Sequence, residues 1–134
     1  MREAIEDVII RYAWAYDEQE TDAAATLFTE DGVLQPSAPG SAPVVGREAI
    51  AAYLGAARAG RATAGEQPRH LVNNVRVVEA AGGVADVVSY MTLVVTAADG
   101  TSAVVIAGTY ADRLVEVDGR WQIASRRIQF DRDR

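Results

Sequence analysis

The sequence predicts an α+β fold in which helices come first and a strongly curved antiparallel sheet follows, the two forming a cone-shaped α+β barrel around one pocket. Three observations carry this expectation. Apolar residues recur at helical spacing through most of the first 58 positions, then alternate in long β-branched runs from residue 69 onward. Glycine-containing turns divide that second half into four runs. Strands of about ten residues or more cannot stay flat, so the sheet must twist and coil, and helices laid across its concave side leave a mouth at one end.

The first helix is expected over Glu3 to Asp17, where Ile5, Val8, Ile9, Tyr12 and Tyr16 repeat at three- and four-residue spacing. Ile10, Trp14 and Asp17 form a second, adjacent stripe, so the helix is apolar over most of its circumference and is expected to be widely buried. Asp22 is placed to cap a short second helix through Phe28. Thr29-Glu30-Asp31-Gly32 stops it, and Val33-Leu34-Gln35 reads as a short strand. Pro36 to Pro43 reads as an irregular loop. A third helix follows from Gly46 to Arg58, with Ile50, Tyr53, Leu54 and Ala57 on one face, and Gly60 to Pro68 reads as a second loop. Four strands complete the chain: Arg69 to Glu79, Val84 to Ala97, Ser102 to Val117 and Arg120 to Phe130. The turns between them are Ala80-Ala81-Gly82-Gly83, Ala98-Asp99-Gly100 and Asp118-Gly119. With no repeat or linker in view, residues 1–134 read as a single domain.

Composition narrows the partners. Hydrophobic residues make up 49% and charged residues 24%, a globular balance. The net charge of −6 opposes binding to phosphate backbones and anionic membranes, so neither nucleic acid nor a membrane surface is expected. Cysteine is absent, which removes disulfides and thiolate metal sites. Met1-Arg2-Glu3-Ala4 leads into an acidic amphipathic stretch with no apolar signal core, and no apolar run approaches the roughly 18 residues of a membrane span. A cytoplasmic location is the resulting expectation.

Two residues stand out for proton transfer. Asp17 falls in the last turn of its helix, where the helix dipole and partial burial both act against an ionised carboxylate, which suits it to acid–base work. His70, the one histidine, opens a strand directly after a loop, where side chains often face a pocket mouth. An Asp–His couple can act as an acid–base pair, the carboxylate fixing the tautomer. Tyr16 and Tyr110 are candidates for a phenolic donor to a substrate carbonyl, while Trp14, Tyr53 and Tyr90 also lie on elements expected to line the cone. Gly108, two residues before Tyr110 on one strand face, is expected to leave room for a ligand. Strand alternation puts Asn74 on the His70 face and Asn73 opposite, and a buried Asn is either structural or a ligand contact. Asp112, Arg113, Arg126 and Arg127 suggest a cross-strand charge network. Scattered carboxylates around one histidine supply no metal-ligand spacing, and no phosphate loop or nucleophile elbow is visible, so neither a metal nor another cofactor is expected.

The order of elements resembles the SnoaL-like branch of the nuclear transport factor 2-like superfamily. The carriers are Tyr12-Ala13-Trp14-Ala15-Tyr16-Asp17, Leu27-Phe28-Thr29-Glu30-Asp31-Gly32, Gly46-Arg47-Glu48-Ala49-Ile50, Arg69-His70-Leu71-Val72-Asn73-Asn74-Val75, Gly108-Thr109-Tyr110-Ala111-Asp112 and Asp118-Gly119-Arg120-Trp121-Gln122-Ile123. The resemblance to scytalone dehydratase-like members implies that Tyr16-Asp17 is a catalytic Tyr-Asp pair and His70 the catalytic histidine. The second histidine of those enzymes has no counterpart between Val84 and Ala97. Asp112 is the one residue that could stand for the late-strand aspartate of SnoaL-type cyclases.

Two functions from different classes follow. One is a cofactor-independent dehydratase, isomerase or cyclase acting on a hydrophobic carbonyl compound of polyketide or steroid-like type. The other is a non-catalytic small-molecule-binding or assembly module. A homo-oligomer is expected in either case, a dimer first and a trimer second, because long strands leave one broad sheet face to cover.

Overall fold

The computed structural model describes residues 1–134. Its elements in chain order are α1 (Arg2–Asp17), α2 (Thr21–Ala25), β1 (Phe28–Gln35), β2 (Val44–Val45), α3 (Arg47–Thr63), β3 (Gln67–Ala81), β4 (Val84–Thr96), β5 (Ser102–Val117) and β6 (Arg120–Phe130), followed by a 3₁₀ turn at Asp131–Asp133. The strands form one six-stranded sheet in the order β2-β1-β6-β5-β4-β3. Its helices pack on one face, so the fold is α+β, and β2 and β3 remain as free edges of a curved, unclosed sheet.

The inner face follows strand alternation. Ala85, Val87, Met91, Leu93 and Val95 of β4 are buried, as are Tyr110 and Leu114 of β5. Against Ala85, Val87 and Leu114 pack Ile5, Val8, Ile9, Tyr12 and Tyr16 of α1 with Ile50 and Leu54 of α3, while Met91, Leu93, Val95 and Tyr110 form a second, smaller cluster. Two of the three long hairpins turn through two residues of positive φ, Gly82-Gly83 and Asp118-Gly119, the backbone that matches the right-handed twist of the flanking strands. Bulges interrupt the β3/β4 register between Asn73 and Arg76, the β4/β5 register at Leu93/Val94 and the β5/β6 register at Arg113/Leu114. Each bends its strand and adds to the curl that wraps the sheet around α1.

Several expectations change. Phe28 does not end α2. It opens β1, fully buried, and α2 is a five-residue turn with no side-chain cap, so Asp22 sits in its first turn rather than capping it. β1 runs parallel to β6 (Leu34 opposite Arg126, Gln35 opposite Arg127), so the sheet is mixed rather than wholly antiparallel. This pairing joins residues about ninety positions apart, which no local periodicity can announce. α3 continues to Thr63, five residues past Arg58, because Gly60 sits on open surface and helical bonds are kept through Ala64.

Candidate functional site

Asp17 and His70 meet where α1 ends against β3. The Asp17 carboxylate accepts two hydrogen bonds from the same residue: Oδ1 from the His70 ring at Nδ1 (2.7 Å) and Oδ2 from the His70 backbone N–H (2.8 Å). Both side chains are nearly enclosed, with 5% of Asp17 and 12% of His70 exposed. With a carboxylate facing it, Nδ1 carries the proton and Nε2 is the ring nitrogen left for exchange with a ligand. The Tyr16 ring stands edge-on to the imidazole, 5.0 Å between centroids and 82° between planes. Burial raises the Tyr16 phenol above its ordinary value, against the opposing pull of Arg61 and Arg58.

The backbone beneath Asp17 is held as firmly as its side chain. Its carbonyl, the last of α1, accepts from Arg58 Nε (3.3 Å), Arg58 Nη2 (3.0 Å) and Gln67 Nε2 (3.0 Å). Arg58 was not among the sequence candidates. The signal was present, since Ile50, Leu54 and Arg58 are spaced by four and put a cation on the buried stripe of α3.

A cleft of about 390 Å³ opens beside the couple, between α1 and β3, lined by Ile10, Ala13, Trp14, Asp17, Arg69, His70, Leu71 and Val72. The second stripe of α1, Ile10, Trp14 and Asp17, forms one wall. The wide burial expected of this helix therefore fails on that side, where Trp14 is 63% exposed and Ile10 45%. Across the mouth, Arg69 pairs with Glu18.

The middle of the cone is filled. Tyr110 is buried there, with the Arg126 guanidinium 3.9 Å above its ring and 4.5 Å above that of Tyr12. Arg126 makes a bidentate pair with Asp112, Nε to Oδ1 at 2.8 Å and Nη2 to Oδ2 at 2.9 Å. Burial works against the Arg126 charge, but the Asp112 carboxylate outweighs it and pushes the guanidinium higher still. Burial pushes the Tyr110 phenol up to about 12, although Arg126 pulls the other way. The charge network expected from sequence does not form as a unit: Asp112 pairs with Arg126 on the inner face, Arg113 pairs instead with Asp86 on the outer, and Arg127 makes no ion pair. Asp112 has both oxygens committed to Arg126 and no part in the cleft.

The remaining candidates do not gather at the couple. Tyr90 faces outward from β4, 56% exposed, and Tyr53 is 41% exposed on α3. Asn74 does not share the His70 face. The β3 bulge holds it in the left-handed region (φ 52°), exposed, which Asn tolerates better than most residues. Gly108 is not there to admit a ligand. A side chain on it would collide with the Gln129 carbonyl and stand 2.9 Å from Phe130 Cα, so β5 and β6 need glycine to approach. No group of three or more His, Cys, Asp or Glu side chains is arranged to hold a metal.

The arrangement is a helical layer on an unclosed curled sheet, with an Asp–His couple set into an apolar cleft. The chain belongs to the SnoaL-like domain family, whose model matches residues 1–127. Among solved structures it is similar to Aln2 from a Streptomyces species, at 30% identity over 98% of this chain and 91% of that one, with a TM-score of 0.87. A Catenulispora acidiphila protein solved in complex with S-DNPA is 29% identical over 98% of this chain and 93% of its own, TM-score 0.84. A candidate scytalone dehydratase from Novosphingobium aromaticivorans is 25% identical over 96% and 83%, TM-score 0.80. No curated protein matches the chain. The fold is therefore a small-molecule-binding one of the nuclear transport factor 2-like type. No helix is long and apolar enough to cross a membrane.

Proposed function

We propose that the protein is a cofactor-independent acid–base enzyme of the dehydratase, isomerase or cyclase type, acting in the cytoplasm on a hydrophobic carbonyl compound of polyketide or steroid-like character. The observation that carries this reading is the direct Asp17–His70 bond on the wall of an apolar cleft. His70 Nε2 takes the proton from the carbon next to the substrate carbonyl. Asp17 holds the Nδ1–H tautomer and stabilises the imidazolium that forms. Tyr16 stands outside the lining of the cleft, and its ring, edge-on to the imidazole, packs His70 in place. The imidazolium then returns its proton, either to a β-hydroxyl that leaves as water or to carbon. Ile10, Trp14 and Leu71 supply apolar contact for a planar ring system. The exposed apolar side chains Val88, Tyr90 and Val104 on β4 and β5 support a homodimer through the outer sheet face, which sedimentation tests.

The test uses 3-hydroxy-1-tetralone, a β-hydroxy ketone, in D₂O. Deuterium entering at C2 reports proton abstraction, and appearance of 1-naphthol reports loss of water. His70→Ala and Asp17→Asn should each lower C2 exchange by about 10²–10⁴-fold with folding retained. Exchange that persists in both variants would sink the assignment. Binding without any exchange in the parent selects the alternative, a non-catalytic binding module, which the open cleft with its exposed Trp14 favours.

A further inference from the structure

We infer that Arg58 is the positioning residue of the Asp17–His70 couple, acting through the last carbonyl of α1. The inference rests on the acid–base reading for its functional meaning and on geometry for its substance. Arg58 is 3% exposed and makes no ion pair with any carboxylate in the chain. Burying a guanidinium without a counter-ion is costly, so the groups it touches must account for its place. It touches the negative end of α1: Nε and Nη2 both donate to the Asp17 carbonyl, with Gln67 Nε2 as a third donor. The neighbouring carbonyls of the last turn are satisfied by the backbone, Trp14 by Glu18 N–H, Ala15 by Glu20 N–H and Tyr16 by Gln19 N–H. Asp17 alone depends on side chains from elsewhere in the chain.

That dependence couples the clamp to the site. The Asp17 carboxylate springs from the same residue and must present two oxygens to His70 at once. Two short bonds to one residue tolerate little movement of the Asp17 backbone. α1 packs along β3 but meets α3 only sparsely, so the Arg58 fork, planar and rigid, is the brace that ties the end of α1 to α3. Other charged groups nearby are engaged elsewhere: Arg61 with Glu66, and Arg69 with Glu18.

His70 is the one histidine, so its ring ¹⁵N signals report the couple without assignment and without turnover. In the parent, neutral His70 should show a single Nδ1–H tautomer with a slowly exchanging ring proton. Arg58→Met should give a mixture of tautomers and at least about tenfold faster exchange of that proton. Arg58→Lys should restore the single tautomer in part, and Gln67→Leu, removing one donor of three, should fall between parent and Arg58→Met. Leu54→Ala, which loosens α3 packing without touching the clamp, should lower the Tm and leave the tautomer unchanged. A folded Arg58→Met with the parent signature overturns the inference, as does a Leu54→Ala that mixes the tautomers equally. Where Arg58→Met does not fold, parent-like signals in both Arg58→Lys and Gln67→Leu overturn it. These signals do not depend on catalysis, so loss of the acid–base reading through the tetralone assay leaves this test standing.

Discussion

Replacing Asp112 by Asn should unfold the protein early. The substitution keeps the shape of the side chain and removes its charge. It leaves Arg126, whose side chain is 0% exposed, without a counter-ion, and turns an amide NH₂ toward one of its donors. Removing one partner of a buried, hydrogen-bonded pair costs about 3–5 kcal/mol. The two aromatic rings that flank the guanidinium remain, at 4.5 and 3.9 Å, and they keep the expected loss nearer about 3–4 kcal/mol. Unfolding entropy of about 2.1 cal/mol/K per residue gives roughly 0.28 kcal/mol/K for a chain of 134 residues, so the Tm should fall by about 10–15 °C. Urea unfolding followed by circular dichroism measures the free energy directly. A companion double variant, Asp112→Leu with Arg126→Met, should lie within about 2 kcal/mol of the parent, because it leaves no orphan charge. A loss below about 1 kcal/mol in Asp112→Asn, or a double variant as weak as the sum of its singles, would refute the account of the pair as a mutually dependent unit.

Two further outcomes follow from burial. Tyr110, pushed up to about 12 by desolvation, favours the folded state only while its phenol is neutral, so its contribution is intact below about pH 10 and is lost as pH rises toward 12. Absorbance at 295 nm should place this phenol in the late step of the titration, and Tyr110→Phe should remove one equivalent from that step. Trp14→Ala should change stability by less than about 0.5 kcal/mol, since the ring is largely exposed, yet should weaken binding of a planar ketone in the cleft. In a Trp121→Phe background, quenching of Trp14 by 1-tetralone measures that binding.

The local half of this molecule could be read in the chain, and the non-local half could not. The helical stripe of Ile5, Val8, Ile9, Tyr12 and Tyr16 and the four long strand runs are short-range patterns, and their elements form close to the expected bounds. The parallel β1/β6 pair depends on contacts across most of the chain, and the pattern of Val33-Leu34-Gln35 is silent about its partner. Asn74 shows the limit of alternation, because one extra residue in β3 shifts the side chains after it to the opposite face until a second irregularity beyond Val77 restores the parity. Gly108 shows a different limit: glycine in a strand signals a close approach, and only the fold reveals whether ligand or backbone approaches it. Trp14 and Tyr90 are large and apolar, but size and hydrophobicity do not decide which face of a helix or strand is covered.

The two buried aspartates show how environment separates roles that residue type leaves equal. Asp112 gives both oxygens to a guanidinium that cannot release a proton, flanked by two aromatic rings and away from the cleft. That carboxylate is a structural counter-ion, with no oxygen left free to act on a ligand. Asp17 also has both oxygens engaged, but both of its partners belong to one histidine. One bond fixes the ring's tautomer and the other fixes its backbone, so the carboxylate spends its acceptors on orienting a group that can exchange a proton at its far nitrogen. Helix geometry adds the last condition. Asp17 stands where α1 stops, its carbonyl is held by Arg58 and Gln67, and the chain beyond it turns away, which leaves the cleft beside His70 open to a ligand.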